Sequence, residues 1–331
     1  MAALRRLLDE LAALIEQIEV QTERGTQGTL PRLIAENEAT TRRIMDGIGT
    51  ILHDVAAAGE PPEVADQVYE LAASRLASWS STSPVFYHVR NTPRTEFNNF
   101  EIALRLLECR RGGGNTAAQI LDHYYLNMVT CSSFRNRFTQ FAGRLAAETV
   151  RRASKMHPVR ILNLHSNTCH ELELLARNRD FVEAVQITCL DRDPVALRRA
   201  RQRLERFAGR LQFVRADARK YAASRTWPES PYDIIYTVNL FDQLDDQQTA
   251  KLIADCRRGL APGGVLIVGN YSPALPSPER AIIAQLMNWN IRSRPEDQWR
   301  QIFAQEWHDA ECVRFETEVL QISQLVIAVR S

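Results

Sequence analysis

Lysine is nearly missing from this 331-residue chain: of its 41 basic residues only Lys155, Lys220 and Lys251 are lysines. The remainder are arginines, a coding bias rather than a binding signature. Acids and bases balance to a net charge of +1, so no global field draws the chain to nucleic acid or to an anionic membrane. No run of 18 apolar residues occurs, which excludes a membrane-spanning helix. The six cysteines, Cys109, Cys131, Cys169, Cys189, Cys256 and Cys312, form no Cys-x-x-Cys pair and are widely scattered. The opening stretch "MAALRRLLDELAALIEQI" carries charges throughout and has no apolar signal-peptide core. Reduced thiols in a cytoplasmic protein are the expectation. No internal repeat is visible.

What is present divides in two. Apolar residues make up 45% of the chain, enough for a sizeable core. Residues 1–150 read as nearly all helix. Leu4, Leu7, Leu8, Leu11, Ile15 and Ile18 recur at helical spacing. Further helices are expected over about 31–58, before Gly59 and Pro61-Pro62, and over about 62–79, 97–109 and 116–150, the last two split by Gly112-Gly113-Gly114. From about residue 158 the texture changes. "VRILNL", "VQITCLD", "LQFVRAD", "YDIIYTVN" and "GVLIVGN" are short β-branched runs separated by amphipathic helices. That alternation predicts a doubly wound, mostly parallel α/β sheet. "AECVRFETEVL" and "QLVIAVRS" predict a closing antiparallel hairpin at the sheet edge. The expected division is a helical lid or substrate domain over 1–150 and a cofactor-binding domain over 151–331.

Ligands of open α/β sheets sit at the carboxyl ends of the strands. After the first strand comes His165-Ser166-Asn167-Thr168-Cys169-His170, followed by Glu171 and a helical pattern. A nucleotide-binding turn at this place normally carries glycines, which allow positive φ and close approach. This one has none. Side chains of Ser166, Asn167 and His170 must therefore stand where a ligand would pass, and Glu171 suits the start of a helix. After the second strand come Asp191, Arg192 and Asp193, with Asp191 26 positions beyond His165. That is close to where an acid reaches a ribose hydroxyl. Asp217-Ala218 follow the third strand, Asn239-Leu240-Phe241-Asp242 the fourth, and Asn270-Tyr271-Ser272-Pro273 the fifth, which is preceded by a turn at Pro262-Gly263-Gly264. His165, Cys169 and His170 match no standard zinc spacing, so no metal is expected. "NLFD" lacks the prolines of a base-flipping turn, which sets aside a nucleic-acid base as acceptor.

With these acids and "LAPGGVLIV" in place, residues 158–331 resemble the class I S-adenosylmethionine-dependent methyltransferases. "YDIIYTVNLFDQLDD", "LAPGGVLIVGNYSP" and "NWNIRSR" resemble a bacterial subgroup of hydroxy-fatty-acid methyl ester synthases and related enzymes that consume the sulfonium cofactor. "HYYLNMVTCSSFRNR" extends the likeness back to about residue 120. The resemblance implies that Asp191 and Arg192 meet the ribose, that Asp217 and Ala218 meet adenine, and that Asn239 and Leu240 line the sulfonium end. His165, Ser166, Asn167 and Glu171 would pass the methionine arm. Tyr125, Asn239 and Asn270 become candidates at the reacting centre. Tyr124, Arg135, Arg137, Phe241, Trp289 and Arg294 become candidates on the substrate side, the arginines as a carboxylate clamp.

The leading expectation is methyl transfer to a carboxylate or hydroxyl oxygen of a small molecule in secondary or signal metabolism. A second is a cyclase or lyase in which the methionine amine attacks its own γ-carbon, giving an azetidine carboxylate and methylthioadenosine. There, Tyr125 or Phe241 would face the sulfonium. A third is a non-catalytic S-adenosylmethionine-binding protein. The expected partner is a small-molecule substrate, with no nucleic acid and no membrane, and a homodimer is the assembly to test for.

Overall fold

The computed structural model describes residues 1–26, 28–86, 100–154, 157–224, 231–287, 289–307 and 313–331. The chain divides into two compact units. The first comprises Met1–Ser132 and Leu275–Ile291, the second Ser133–Ala274 and Arg292–Ser331.

The first unit is helical, as the apolar spacing predicts. Its helices are Ala2–Glu23, Thr29–Glu36, Glu38–Ala57, Pro62–Trp79, Phe100–Glu108, Thr116–Leu126 and, from the inserted segment, Ser277–Leu286. Leu4, Leu8, Leu11, Leu14, Ile15 and Ile18 form the buried stripe of the first helix, while Leu7 is half-buried beside it. Gly49 lets the helix Glu38–Ala57 lie against the start of Ser277–Leu286, because a Cβ there would overlap the carbonyl oxygen of Pro278. Two expected helices prove to be pairs. The stretch 31–58 breaks at Asn37, and 116–150 breaks at Asn127–Met128. The second break has a tertiary cause. Glu279 accepts the N–H groups of Val129 and Thr130, each at 2.8 Å, and the Thr130 hydroxyl at 2.6 Å. It thereby caps a new helix, Val129–Arg152, whose first N–H groups would otherwise lack partners. Residues 97–99 of the expected helix over 97–109 lie outside the described residues.

The second unit is built on a sheet that, among the described residues, has seven strands: β1 Val159–Asn163, β2 Val185–Asp191, β3 Leu211–Arg215, β4 Tyr232–Thr237, β5 Leu260–Tyr271, β6 Val313–Thr317 and β7 Ser323–Val329. Their order is β3-β2-β1-β4-β5-β7-β6. The first five are parallel; β7 is antiparallel to β5 and to β6. The expected hairpin is present, and its second strand lies inside the sheet with β6 at the edge. Both flanks of β7 are paired, in keeping with its nearly continuous burial. Pro262-Gly263-Gly264 makes no turn between elements. It lies within β5, where the register against β4 shifts between Tyr232 and Ile234 and Gly263 takes φ +72°. The helix Glu296–Trp307 joins the core of the sheet through a run of aromatic rings, Trp299, Phe303 and Trp307, all buried.

The unit with the sheet starts at Ser133 rather than at 151, because the helix Val129–Arg152 gives it Arg137, Phe138 and Phe141. Among the described residues no helix is long and apolar enough to cross a membrane, and no cluster of metal-ligating side chains exists.

Candidate active site at the carboxyl ends of the strands

The loop after β1 adopts glycine-like geometry without glycine. Asn167 has φ +45° and Cys169 φ +50°, both in the left-handed region. Asparagine tolerates that region better than most residues, and the loop is tied down at several points. The Asn167 N–H donates to Oδ2 of Asp191 at 2.8 Å, and the Asp193 N–H donates to Oδ1 at 2.9 Å. His165 Nδ1 lies 3.4 Å from the same Oδ2. The Ser166 N–H and hydroxyl both donate to the Leu190 carbonyl, at 2.9 and 3.0 Å. β1 and β2 are adjacent and parallel, so the loop leaving β1 meets the end of β2 directly.

Several side-chain atoms of this loop are buried with no hydrogen-bond partner in the protein. They are His165 Nε2, Asn167 Oδ1 and Nδ2, Thr168 Oγ1 and Glu171 Oε2. Buried polar groups are almost always paired, so a run of unpaired ones within seven residues calls for a ligand or ordered water. Glu171 is fully buried. Its Oε1 accepts from the Tyr236 hydroxyl at 2.7 Å and from Asn163 Nδ2 at 3.0 Å. Burial raises its pKa to about 7, against the opposing pull of Tyr236, its own N–H and Asn163.

Other expected site residues fall into three groups. Asp217 caps the helix Ala218–Ala223 by accepting from the N–H groups of Arg219 and Lys220 at 3.0 and 3.1 Å. Burial works to raise its pKa, but the Lys220 and Arg219 amides and nearby guanidiniums outweigh it and hold the carboxyl low. Ala218 and Asn239 are buried, Leu240 is half-buried and Arg192 is exposed. These, with the loop, stand at the ends of β1 to β4.

A second group is committed to the protein itself. Arg137, placed on the substrate side from the sequence, is fully buried. It pairs with Asp242 at 2.7 Å, donates to the Val238 carbonyl and Ser323 Oγ, and stacks 4.1 Å from the Tyr271 ring centre. Arg294 is equally buried. It donates to Asp246, to the carbonyls of Phe241 and Leu244, and packs over Trp299. Neither guanidinium is open for a clamp. Asn270 donates to Asp242 and to the Arg292 carbonyl and accepts the Arg294 N–H. Phe241 is a core residue against Trp299. His170 lies 3.1 Å from Glu173 and edges onto Phe138, so it braces the helix it begins. Arg135 is half-buried in the same unit.

The third group, Tyr124, Tyr125 and Trp289, belongs to the first unit. Tyr124 donates to Asp46 at 2.8 Å, and burial lifts its phenol far above the usual range. Tyr125 is buried and stacks on Phe86 at 5.6 Å; Trp289 is buried. The sequence reading missed Asn163 and Tyr236, which hold Glu171. A polar residue inside the otherwise apolar run "VRILNL" was the available signal for Asn163; nothing marked Tyr236.

Residues 161–264 match the family described as "Methyltransferase domain". The whole chain is similar to a possible exported protein from Bordetella parapertussis, at 19% identity over 92% of this chain and 99% of that one, with a TM-score of 0.60. It is also similar to the CurJ carbon methyltransferase, at 13% identity over 99% and 98% of the two chains, with a TM-score of 0.50. The chain has the class I methyltransferase fold. The N-methyltransferase NodS from Bradyrhizobium japonicum, in complex with S-adenosyl-L-homocysteine, overlaps 60% of this chain and 87% of its own at 18% identity and a TM-score of 0.40. No curated protein sequence matches the chain.

Proposed function

We propose that the protein is an S-adenosylmethionine-dependent methyltransferase acting on an oxygen of a small molecule. One observation carries this: the unpaired buried polar atoms of His165, Asn167, Thr168 and Glu171, gathered in the loop where this fold presents a ligand. The residues fit that cofactor. Asp191 has given only part of its acceptor capacity to the loop, since a carboxylate offers about four sites and two amides use it. It can take ribose hydroxyls on the rest. Asp217 is held ionised at a strand end and can accept from an adenine amino group. The cofactor, when bound, supplies a methyl group on a sulfonium.

The chain's own residues do the remainder. They hold the acceptor oxygen in line with the methyl and exclude water, and positioning of this kind accounts for most of such catalysis. A carboxylate acceptor needs no general base; a hydroxyl acceptor would. Neither Arg137 nor Arg294 is available to hold an acceptor, so its recognition falls to other groups.

The test uses purified full-length protein. Binding of S-adenosylmethionine is measured by calorimetry, and products are then identified with the cofactor alone and with a panel of small acids and alcohols. S-adenosylhomocysteine formed only when an acceptor is present supports the proposal. Methylthioadenosine released without any acceptor would replace it with consumption of the cofactor itself. Absence of binding would overturn both.

A further inference from the structure

Glu171 is an unusual group to bury. It is wholly inside the protein, and both side chains that donate to it, the Tyr236 hydroxyl and Asn163 Nδ2, fall on the same oxygen, Oε1. Oε2 has no partner. The titratable groups that interact with it are Tyr236 on β4 and Cys169 in the loop, and Cys189 and Asp191 on β2 lie in turn beside Cys169. None is a cation. An acid in such surroundings is costly as a carboxylate and needs a positive partner to be retained in that form. Four and three residues before it, Asn167 and Thr168 bury an amide and a hydroxyl that are also unpaired. A buried acid within four residues of two buried, uncharged donors, all unpaired, complements a zwitterion, with an ammonium for the acid and a carboxylate for the amide and hydroxyl.

We propose that Glu171 is the counter-charge for the ammonium at the amino-acid end of the ligand, that Asn167 and Thr168 take the neighbouring carboxylate, and that binding expels a proton from Glu171. The inference rests on the ligand being an adenosyl amino-acid thioether or sulfonium, as in the function proposed above. The proton balance is simple. The neutral carboxylic acid gives its proton to solvent as the ammonium docks, and the complex holds an ammonium–carboxylate pair. The raised pKa of Glu171, about 7, is what makes the event visible near neutral pH. Affinity then rises with pH up to that region and levels beyond it.

The experiment uses two probes. S-adenosylhomocysteine has the amino-acid end and no transferable methyl; methylthioadenosine has the same nucleoside thioether without that end. Calorimetry of the wild-type protein near pH 6, in two buffers of different ionisation enthalpy, counts protons directly. Release approaching one proton per S-adenosylhomocysteine is expected, with none for methylthioadenosine, and release should fade as pH rises past Glu171's transition. In Glu171→Gln, affinity for S-adenosylhomocysteine near pH 8 should fall at least tenfold, with methylthioadenosine unchanged and proton release lost. Wild-type binding of both ligands with no proton release overturns the inference while leaving the cofactor reading intact. So does a Glu171→Gln variant that loses both ligands equally or neither. Failure of the wild type to bind either compound removes the cofactor reading and this inference together.

Discussion

The main-chain N–H of Asn167 donates to Oδ2 of Asp191 at 2.8 Å, joining the loop after β1 to the end of β2. The bond holds Asn167 at φ +45° and so supplies by tethering what glycine supplies by freedom. It also means that the acid expected to serve a ribose first serves its own chain.

Asn167→Gly therefore separates backbone from side chain. Glycine accepts the left-handed geometry without strain and removes a buried, unpaired amide, while loosening the unfolded chain by about 0.4–1 kcal/mol. These effects oppose one another, and the melting temperature is expected to stay close to wild type. Binding of S-adenosylhomocysteine should weaken by about tenfold, the worth of one charge-assisted hydrogen bond. Unchanged affinity by calorimetry would mean that the Asn167 side chain only fills space.

Glu171 should make the protein less stable as the medium becomes less acidic. Its folded pKa of about 7 stands above the unfolded value of 4.5. Below the unfolded value both states are protonated and nothing is lost. Between the two values the folded state binds more protons than the unfolded, so stability falls as pH rises, and it is level above about 7. The loss is on the order of 3 kcal/mol at most. Glu171→Gln keeps an acceptor for Tyr236 and Asn163 and removes the titration. Thermal melts across pH 4 to 8 should show a flatter profile for the variant and a melting temperature at least as high at the upper end. A parallel profile would exclude Glu171 as the source.

Arg137 and Asp242 form a buried pair at 2.7 Å. Burial pushes the Asp242 carboxyl up, and Arg137, the Tyr271 N–H and Asn270 pull against it. Arg137→Met should cost about 3–5 kcal/mol in denaturant unfolding, because it leaves the acid buried without its cation. The double change with Asp242→Leu should recover part of that loss; no recovery would show that packing, not charge, explains the single variant. A fragment of residues 151–331 lacks Arg137 altogether and is expected not to fold, as judged by circular dichroism and proteolysis.

Glu279 caps the helix Val129–Arg152 through three accepted hydrogen bonds. Glu279→Ala should cost about 1–2 kcal/mol, the upper range for a lost cap. Glu279→Gln retains one acceptor and should cost less. Chemical denaturation of the two variants side by side checks the order, and equal losses would argue against capping.

The local periodicities determined much by themselves. Spacing of 3.6 marked the helices of the first 150 residues, and the β-branched runs marked β1 to β4 within two residues and the second half of β5, because binary pattern and backbone geometry share a period. The acids at strand ends were legible for the same reason: a strand's end is a local property. What a local pattern cannot carry is where a chain breaks or returns. The break before Val129 depends on Glu279, 150 residues away, and the insertion Leu275–Ile291 joins the helical unit by helix packing and by the hydrogen bonds of that same Glu279. Periodicity showed no difference between an arginine facing a substrate and one facing Asp242; only the fold brought Arg137 to that carboxylate. The raised pKa of Glu171 is likewise tertiary, since it arises from burial against Asn163 of β1 and Tyr236 of β4 rather than from its neighbours in sequence. The missing glycines were visible in the sequence at once. That the loop nonetheless takes their conformation was decided by Asp191 and Leu190, which reach it from the adjacent strand.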